Sequence, residues 1–163
     1  MNMPATNIGN TLRPLRPADL ERVIGIDSAH VGETRRRFFE KRLAQAQKHP
    51  EDFVQLGASH NGLLVGFVFG RILRGEFGRE QAIGTLDAVG VEHDSRDRGV
   101  GQTLMDGLTK AMREKGVTSL QSQVDWTNHG LLRFFDGSGF GLAPRLVLER
   151  SVRAPLPEPV EDE

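Results

Sequence analysis

The chain of 163 residues contains no cysteine, no tyrosine and a single tryptophan. The absence of cysteine excludes disulfide bonds, thiolate metal sites and an acyl-cysteine intermediate. The 21 basic and 22 acidic residues nearly cancel, so the formal net charge is −1. Because this balance provides no general basic field, we expect no nucleic-acid partner and instead a small molecule or a protein.

Long apolar runs are also lacking. No stretch reaches the ~18 consecutive apolar residues of a membrane span, and the start of the chain has no signal-peptide pattern. We therefore expect no membrane partner and a cytoplasmic location. Polar residues and prolines dominate both ends, which predicts flexible tails at residues 1–10 and 153–163 around a single domain at residues 11–152.

Hydrophobic periodicity predicts an antiparallel meander followed by one β-α-β crossover. The Asn61-Gly62 pair lies between two strand-forming segments and predicts a tight hairpin turn. Apolar residues of the segment 99–115 share one helical face, and Gly116 is placed to end that helix in a left-handed cap. The predicted strands are residues 11–15, 53–59, 63–73, 82–92, 120–126 and 146–152, and the predicted helices lie at about 17–30, 34–49, 99–115 and 128–135.

A glycine-rich segment, Arg96-Asp97-Arg98-Gly99-Val100-Gly101, lies between a predicted strand and the strongest predicted helix. Such a loop presents unpaired N–H groups at the positive end of a helix dipole, and glycine lets the backbone approach an anion closely. Arg96 and Arg98 add positive charge, so a diphosphate suits the loop better than a single carboxylate. An unliganded turn is the alternative, since an isolated G-x-G pattern is common.

Two known phosphate loops compete with this interpretation. A nucleoside-triphosphate loop needs G-x-x-x-x-G-K-[ST], which the chain lacks. A dinucleotide fingerprint needs a third small residue where Leu104 stands, although Asp125 falls where a ribose-binding acid would lie. That fold places its loop after the first strand of a parallel sheet, whereas several antiparallel elements precede this one. A dinucleotide-binding protein is thus the least favoured hypothesis.

In these features the chain resembles the GCN5-related N-acetyltransferase (GNAT) family, whose acetyl-coenzyme A loop [RQ]-x-x-G-x-[GA] is matched by Arg96, Gly99 and Gly101. The resemblance runs from R-P-x-R-P-x-D-L at residues 13–20 to N-x-x-L-x-x-F-F-x-x-x-G-F at residues 128–140. It implies an α/β (α+β) fold with a mixed, mostly antiparallel twisted sheet of about six or seven strands and about four helices. The loop would join the fourth strand to the third helix.

The resemblance also implies a function. The family transfers an acetyl group from acetyl-coenzyme A directly to a primary amine, and no histidine or carboxylate spacing here indicates a metal site. Loop N–H groups would hold the pyrophosphate, and the strand before the loop would pair with pantetheine. Asn128 would contact the cofactor, although it is equally well explained as a helix cap. The implied cofactor-binding residues are Val89, Gly90, Val91, Arg96, Arg98, Gly99, Val100, Gly101 and Asn128.

The proton path needs a base, because an amine with a pKa of ~8 to 10 must lose a proton before it attacks. Asp87, in the apolar strand before the loop, is the candidate general base, and a structurally paired carboxylate is the alternative. The family also uses the position of Thr85. Glu33 and Glu40 are weaker candidates, for which a solvated helix charge is the simpler explanation.

The family's proton donor to the leaving thiolate, a tyrosine on the last helix, is replaced here by Phe135. His129 and Ser138 are weak candidates for the general acid, with water or no acid as alternatives. The missing tyrosine motivates a second hypothesis, a non-catalytic module that senses acyl-coenzyme A.

The acceptor amine stays open between small molecules, antibiotics, peptide N-termini and lysine. Trp126 and the Phe38-Phe39 pair are candidates for lining its pocket, with a core role as the alternative. The segment at residues 141–152 is short for two closing strands. It therefore predicts either a short hairpin or a strand supplied by a second copy in a homodimer.

Overall fold

The computed structural model describes residues 10–153 and residue 155. Apart from Asn10, Arg153 and Pro155, the two predicted tails lie outside these residues. The strands are β1 (Asn10–Pro14), β2 (Phe53–His60), β3 (Leu63–Leu73), β4 (Ile83–Val91) and β5 (Ser119–Gln121). The helices are α1 (Leu20–Val31), α2 (Arg36–Lys48), α3 (Val100–Glu114) and α4 (His129–Gly137).

The sheet has the order β1-β2-β3-β4-β5, with the first four strands antiparallel and β5 parallel to β4. The predicted hairpin turn is confirmed, since Asn61 and Gly62 have φ values of 51° and 79°. Helix α3 and the crossover to β5 follow as the sequence predicts. The mixed, mostly antiparallel sheet and the four helices of the predicted fold are therefore confirmed.

Each face of the sheet is covered by a different set of helices. Helix α3 packs on one face, where Leu104 and Leu108 are fully buried against Val68 of β3. Helices α1 and α2 cover the other face, where Phe39 contacts the rings of Phe67 and Phe69 edge-on. This burial on both faces fixes the ends of α1 and α3 beside β4.

Glycine on β3 lets α3 lie close to the sheet. A Cβ atom on Gly66 would lie 2.9 Å from Cγ1 of Val100 and 3.0 Å from Cδ1 of Leu104. Since Val100 is the first residue of α3, this close contact sets the position of the start of the helix relative to the sheet.

A β-bulge in β4 lies next to the point where the sheet opens. Phe69 pairs with Ala88 and Gly70 pairs with Leu86, so Asp87 is the extra residue of β4. On the other side, β5 pairs with β4 only over residues 83–85. Beyond that point Ser122 no longer continues the ladder, and its hydroxyl donates to the Leu86 carbonyl oxygen at 3.0 Å. The two strands therefore diverge after Thr85.

Two strand predictions need correction. The predicted strand at 120–126 ends at Gln121, because β4 and β5 diverge beyond it. The described residues contain five strands rather than six or seven, and the segment 146–152 is not a strand. Leu146 and Leu148 are each 88% exposed, so strand propensity alone does not order this segment without a paired neighbour.

Candidate active site

A cavity of about 820 Å³ lies where β4 and β5 diverge. One wall is the strand segment 86–91 of β4, and the opposite wall is formed by residues 122–125 and by α4. The end of α1 and Gly101 of α3 complete the lining. The cavity lining thus includes the candidate base, the edge of β4 and two residues of the predicted loop, Arg96 and Gly101. The other predicted loop residues, Arg98, Gly99 and Val100, are not part of the lining.

The glycine loop leads into α3 through a 3₁₀ turn at His93–Arg98 and through Gly99, which has a φ of 73°. The first hydrogen bond of α3 runs from the Thr103 N–H to the Gly99 carbonyl oxygen at 3.0 Å. The N–H groups of Val100 and Gly101 precede that bond and have no carbonyl acceptor in the helix. They lie at the positive end of a 15-residue helix, so this terminus suits an anion such as a diphosphate.

The edge of β4 presents its own backbone groups to the cavity. The Glu92 N–H donates to the Val65 carbonyl oxygen at 2.8 Å, and in an antiparallel ladder alternate residues bond to the same neighbour. Alternation therefore directs the N–H and C=O groups of Val89 and Val91 away from β3. The His30 contact with the Val91 carbonyl agrees with this direction.

Asp87 lines the cavity and also faces two arginines. Its Oδ2 atom lies 3.2 Å from Nε of Arg42 and 3.6 Å from Nε of Arg71. The Asp87 side chain is only 10% exposed, yet these three atoms make no hydrogen bond with the described residues. The contacts are thus ion pairs without good hydrogen-bond geometry, and the carboxylate has unused acceptor capacity. Both the base and the paired-carboxylate interpretations are compatible with this position.

A second buried carboxylate, Asp27 of α1, also lines the cavity. Arg35 donates to its two oxygens at 2.6 and 2.9 Å. This hydrogen-bonded pair raises the pKa of Arg35, and the guanidinium also lies 5.5 Å from the ring centroids of Phe38 and Phe39. The pair fixes the connection between α1 and α2. Sequence reasoning missed it, although an aspartate on the apolar face of α1 was a visible signal.

His30 is the other site residue that the sequence did not indicate. Its Nε2 atom lies 2.6 Å from the Val91 carbonyl oxygen, and its Nδ1 atom contacts Nη2 of Arg96. Burial is the main cause that lowers the pKa of the imidazole. Arg96, the first residue of the family loop pattern, is thereby held against α1.

The remaining predicted site residues are more dispersed. Phe135, in the place of the family tyrosine, is 5% exposed; it packs in the core beside α3 and also lines the cavity. His129 is exposed, and the Ser138 hydroxyl donates to the Phe134 carbonyl oxygen within α4 at 2.8 Å. Neither His129 nor Ser138 is among the residues that line the cavity. Among the described residues of that lining, Ser122 carries the hydroxyl group.

Asn128 caps α4, since its Oδ1 accepts from the Leu131 N–H at 3.2 Å, and it also lines the cavity. Trp126 is 87% exposed and Phe39 is fully buried, and neither lines the cavity. Glu33 is exposed, as is Glu40, which lies 3.8 Å from Arg36. Glu33 and Glu40 thus fit the solvated charges named as their alternative. Asn128 fits both of its predicted roles, whereas the exposed Trp126 lies neither in the cavity lining nor in the core.

The described residues contain neither a helix that could span a membrane nor a group of metal ligands. None of the helices there is long and apolar enough to cross a membrane. In the same part of the chain, no three histidine, aspartate or glutamate side chains are grouped as metal ligands would be.

Comparisons with known proteins give a relative in sequence, similar solved structures and a matching family model. A mycothiol acetyltransferase of Propionibacterium freudenreichii subsp. shermanii is 26% identical over 140 residues, which are 82% of this chain and 44% of that protein. This chain thus spans less than half the length of that relative.

Solved structures show the same fold. An aminoglycoside acetyltransferase from an uncultured soil metagenomic sample, in complex with sisomicin, has a TM-score of 0.70 at 17% identity and covers 89% of this chain and 97% of its own. The aminoglycoside N-acetyltransferase AAC(6')-Iy in complex with CoA has a TM-score of 0.70 at 18% identity, with 88% and 95% covered. The model of the acetyltransferase (GNAT) family matches residues 21–140. That match covers more than half of the chain, which therefore belongs to the GNAT family of acetyltransferases.

Proposed function

We propose that this acetyltransferase moves an acetyl group from acetyl-coenzyme A directly to the nitrogen of a primary amine. The observation that carries the proposal is the single cavity shared by Asp87, the free edge of β4 and the start of α3. A thioester held along that edge would lie within reach of an amine beside the carboxylate.

The cofactor would be held mainly by backbone groups. The N–H groups of residues 98–101 would bind the diphosphate, with the exposed Arg98 adding charge. Val89 and Val91 would extend the sheet by hydrogen bonds to the pantetheine amides, as an added strand does. Gly90 lies between them, and a Cβ there would lie 2.7 Å from the Phe67 ring. Because Gly90 has no side chain, β4 can lie close to the Phe67 ring. The backbone groups of Val89 and Val91 that point away from β3 stay available to the ligand.

In the proposed reaction, the amine nitrogen bonds to the thioester carbonyl carbon and the C–S bond breaks. Asp87 takes the proton that the ammonium must lose, which is the role of a general base. The Val89 N–H would donate to the carbonyl oxygen as it gains negative charge. The absence of cysteine favours this direct transfer over an acyl-enzyme.

Coenzyme A leaves as a thiolate. His129 and Ser138 lie outside the cavity lining and Phe135 has no acidic group, so we assign the protonation of the thiolate to water. A thiol with a pKa of ~8.5 is a good leaving group and needs no strong acid.

The test is release of free thiol from acetyl-coenzyme A across a panel of amines, with mass spectrometry of the products. Asp87→Asn should lower kcat by about 10² to 10⁴-fold and leave coenzyme A binding intact. Asp125→Asn is the matched control, because Asp125 is an exposed carboxylate on the far wall of the same cavity. Full activity of Asp87→Asn would refute its role as the base.

The buried Phe135 favours a second candidate, a module that binds acyl-coenzyme A without turnover. Tight binding of acetyl-coenzyme A with no thiol release for any amine, and with no effect of Asp87→Asn on the affinity, would support this function instead. NAD should not stabilise the protein in a thermal-shift assay, since the antiparallel strands before the loop do not form a dinucleotide-binding unit.

A further inference from the structure

A histidine near the end of α1 contacts two parts of the cavity lining that lie 61 and 66 residues away from it in sequence. His30 contacts Val91, the last residue of β4, and Arg96, within the 3₁₀ turn that precedes α3. Val91 ends the strand and Arg96 lies in the turn that follows it. One imidazole therefore spans the edge of the sheet and the start of the candidate diphosphate site.

The partners of His30 define its proton position. The Val91 carbonyl oxygen can only accept a hydrogen bond, so the Nε2 atom at 2.6 Å must carry the hydrogen. The Arg96 guanidinium can only donate, so the Nδ1 atom that it contacts must be the unprotonated acceptor. Both contacts are satisfied together by the neutral imidazole with the hydrogen on Nε2.

The contacts of His30 affect which backbone and side-chain groups are available to a ligand. His30 occupies one lone pair of the Val91 carbonyl, so along this edge the Val89 carbonyl and the N–H groups of Val89 and Val91 are the groups best placed to bond to the amides of the cofactor. Arg96 lines the cavity but is held at its Nη2 atom, so its charge has a fixed place beside the loop.

We propose that His30 is a positioning residue that holds Arg96 and the end of β4 in the arrangement that binds the diphosphate of acetyl-coenzyme A. The inference rests on the proposed function of the cavity. His30 need not touch the reacting atoms, because it acts through Arg96 and Val91.

Protonation should release this contact. A proton on Nδ1 removes the acceptor for Arg96 and places two cations side by side. The charged and titratable groups facing His30 are Arg96 and His93, which disfavour its protonation, and Asp27, which favours it. The His93 ring lies 4.7 Å from the His30 ring, and Asp27 is already bonded to Arg35. Because burial lowers the pKa of His30, the release is expected only below pH ~6.5.

Two variants of His30 test whether its hydrogen bonds to Val91 and Arg96, and not only the volume of its side chain, are needed. His30→Gln keeps one donor and one acceptor without a titrating group, and His30→Leu keeps neither. His49→Leu is the control, since His49 is an exposed imidazole beyond the end of α2. Coenzyme A binding would be measured by calorimetry at pH 8 and pH 5.5, together with KM for acetyl-coenzyme A and kcat.

The wild type and His49→Leu should bind coenzyme A more weakly at pH 5.5 than at pH 8. His30→Leu should lose about tenfold in affinity at pH 8, with KM rising and kcat little changed. His30→Gln should regain most of that loss and lack the acid-side decline. A wild-type affinity and pH profile in His30→Leu would overturn the proposal.

The ¹⁵N chemical shifts of His30 in the ligand-free protein test the geometry independently of any activity. They should show a neutral ring protonated at Nε2 at pH 8, and a ring protonated at Nδ1 alone would overturn the assignment. If the wild type itself failed to bind coenzyme A, the proposed function would fall, and the shifts would still decide whether His30 holds Arg96.

Discussion

The distance between α3 and the sheet can be tested by adding one methyl group at Gly66. The new Cβ would lie 2.9 Å from Cγ1 of Val100, 3.0 Å from Cδ1 of Leu104 and 3.2 Å from the Gly90 carbonyl oxygen. Val100 is β-branched and fully buried, so it cannot turn away easily. The start of α3 must therefore move outward from β3.

The expected size of the effect follows from two opposing contributions. Overpacking a core costs about 1–3 kcal/mol, while replacing a strand glycine by alanine returns roughly 0.5–1 kcal/mol of chain entropy. We expect Gly66→Ala to lower the free energy of unfolding by about 1–2 kcal/mol, which is about 2–8 °C in Tm for a chain of this length. The affinity for coenzyme A should fall too, because the loop N–H groups move with α3.

The assay is urea denaturation combined with calorimetry of coenzyme A binding. Gly25→Ala on α1 is the matched control, because its Cβ would have no atom within 4 Å and helix propensity should then stabilise the protein by about 0.5–1 kcal/mol. If Gly66→Ala were as stable as Gly25→Ala and bound coenzyme A normally, the close contact would not set the position of the loop.

Two further predictions concern other parts of the chain. Arg13 donates to both oxygens of Asp19 at 2.7 Å, and these hydrogen bonds lower the pKa of Asp19. The pair therefore stabilises the folded protein above pH ~4, and this contribution is lost as the pH falls through the lowered pKa of Asp19. The difference in unfolding free energy between wild type and Asp19→Asn should accordingly shrink between pH 6 and pH 2, and a constant difference would contradict this. We also propose that the exposed apolar segment 142–152 pairs with a second copy of the chain, because β5 leaves a free sheet edge and Leu146 and Leu148 have no cover in the described residues. Light scattering should then give twice the monomer mass for the wild type and a smaller mass for the Leu146→Ser/Leu148→Ser variant; a monomeric wild type would refute the pairing.

Local signals predicted the parts of the fold that local chemistry determines. The Asn61-Gly62 turn and the cap at Gly116, with a φ of 80°, follow from backbone preferences of single residues. Helix α3 was predictable from its apolar face, and its loop from the glycines that precede it. These features need no knowledge of distant contacts.

The contacts of the site required the folded chain. His30 lies 61 residues from Val91 and 66 from Arg96, so no spacing rule could bring them together. The bulge at Asp87 depends on the register with β3, which the composition of β4 does not reveal. The prediction of a strand at residues 146–152 was wrong for another reason. The segment has strand-forming residues, but no neighbouring strand pairs with it in the described residues.

The bulge places the candidate base next to the cavity. Because Asp87 is an extra residue in β4, the alternation of side chains between the two faces of the sheet shifts by one position there. Leu86 therefore packs toward α3, while Ala88 packs toward α1 and α2. The same irregularity falls next to the point where β5 leaves the ladder, so the carboxylate lies where the backbone edge becomes free. Deleting Asp87 would therefore remove the bulge and the candidate base together. Only a substitution that keeps the extra residue, such as Asp87→Asn, can separate the chemistry of the carboxylate from the shape that it helps to form.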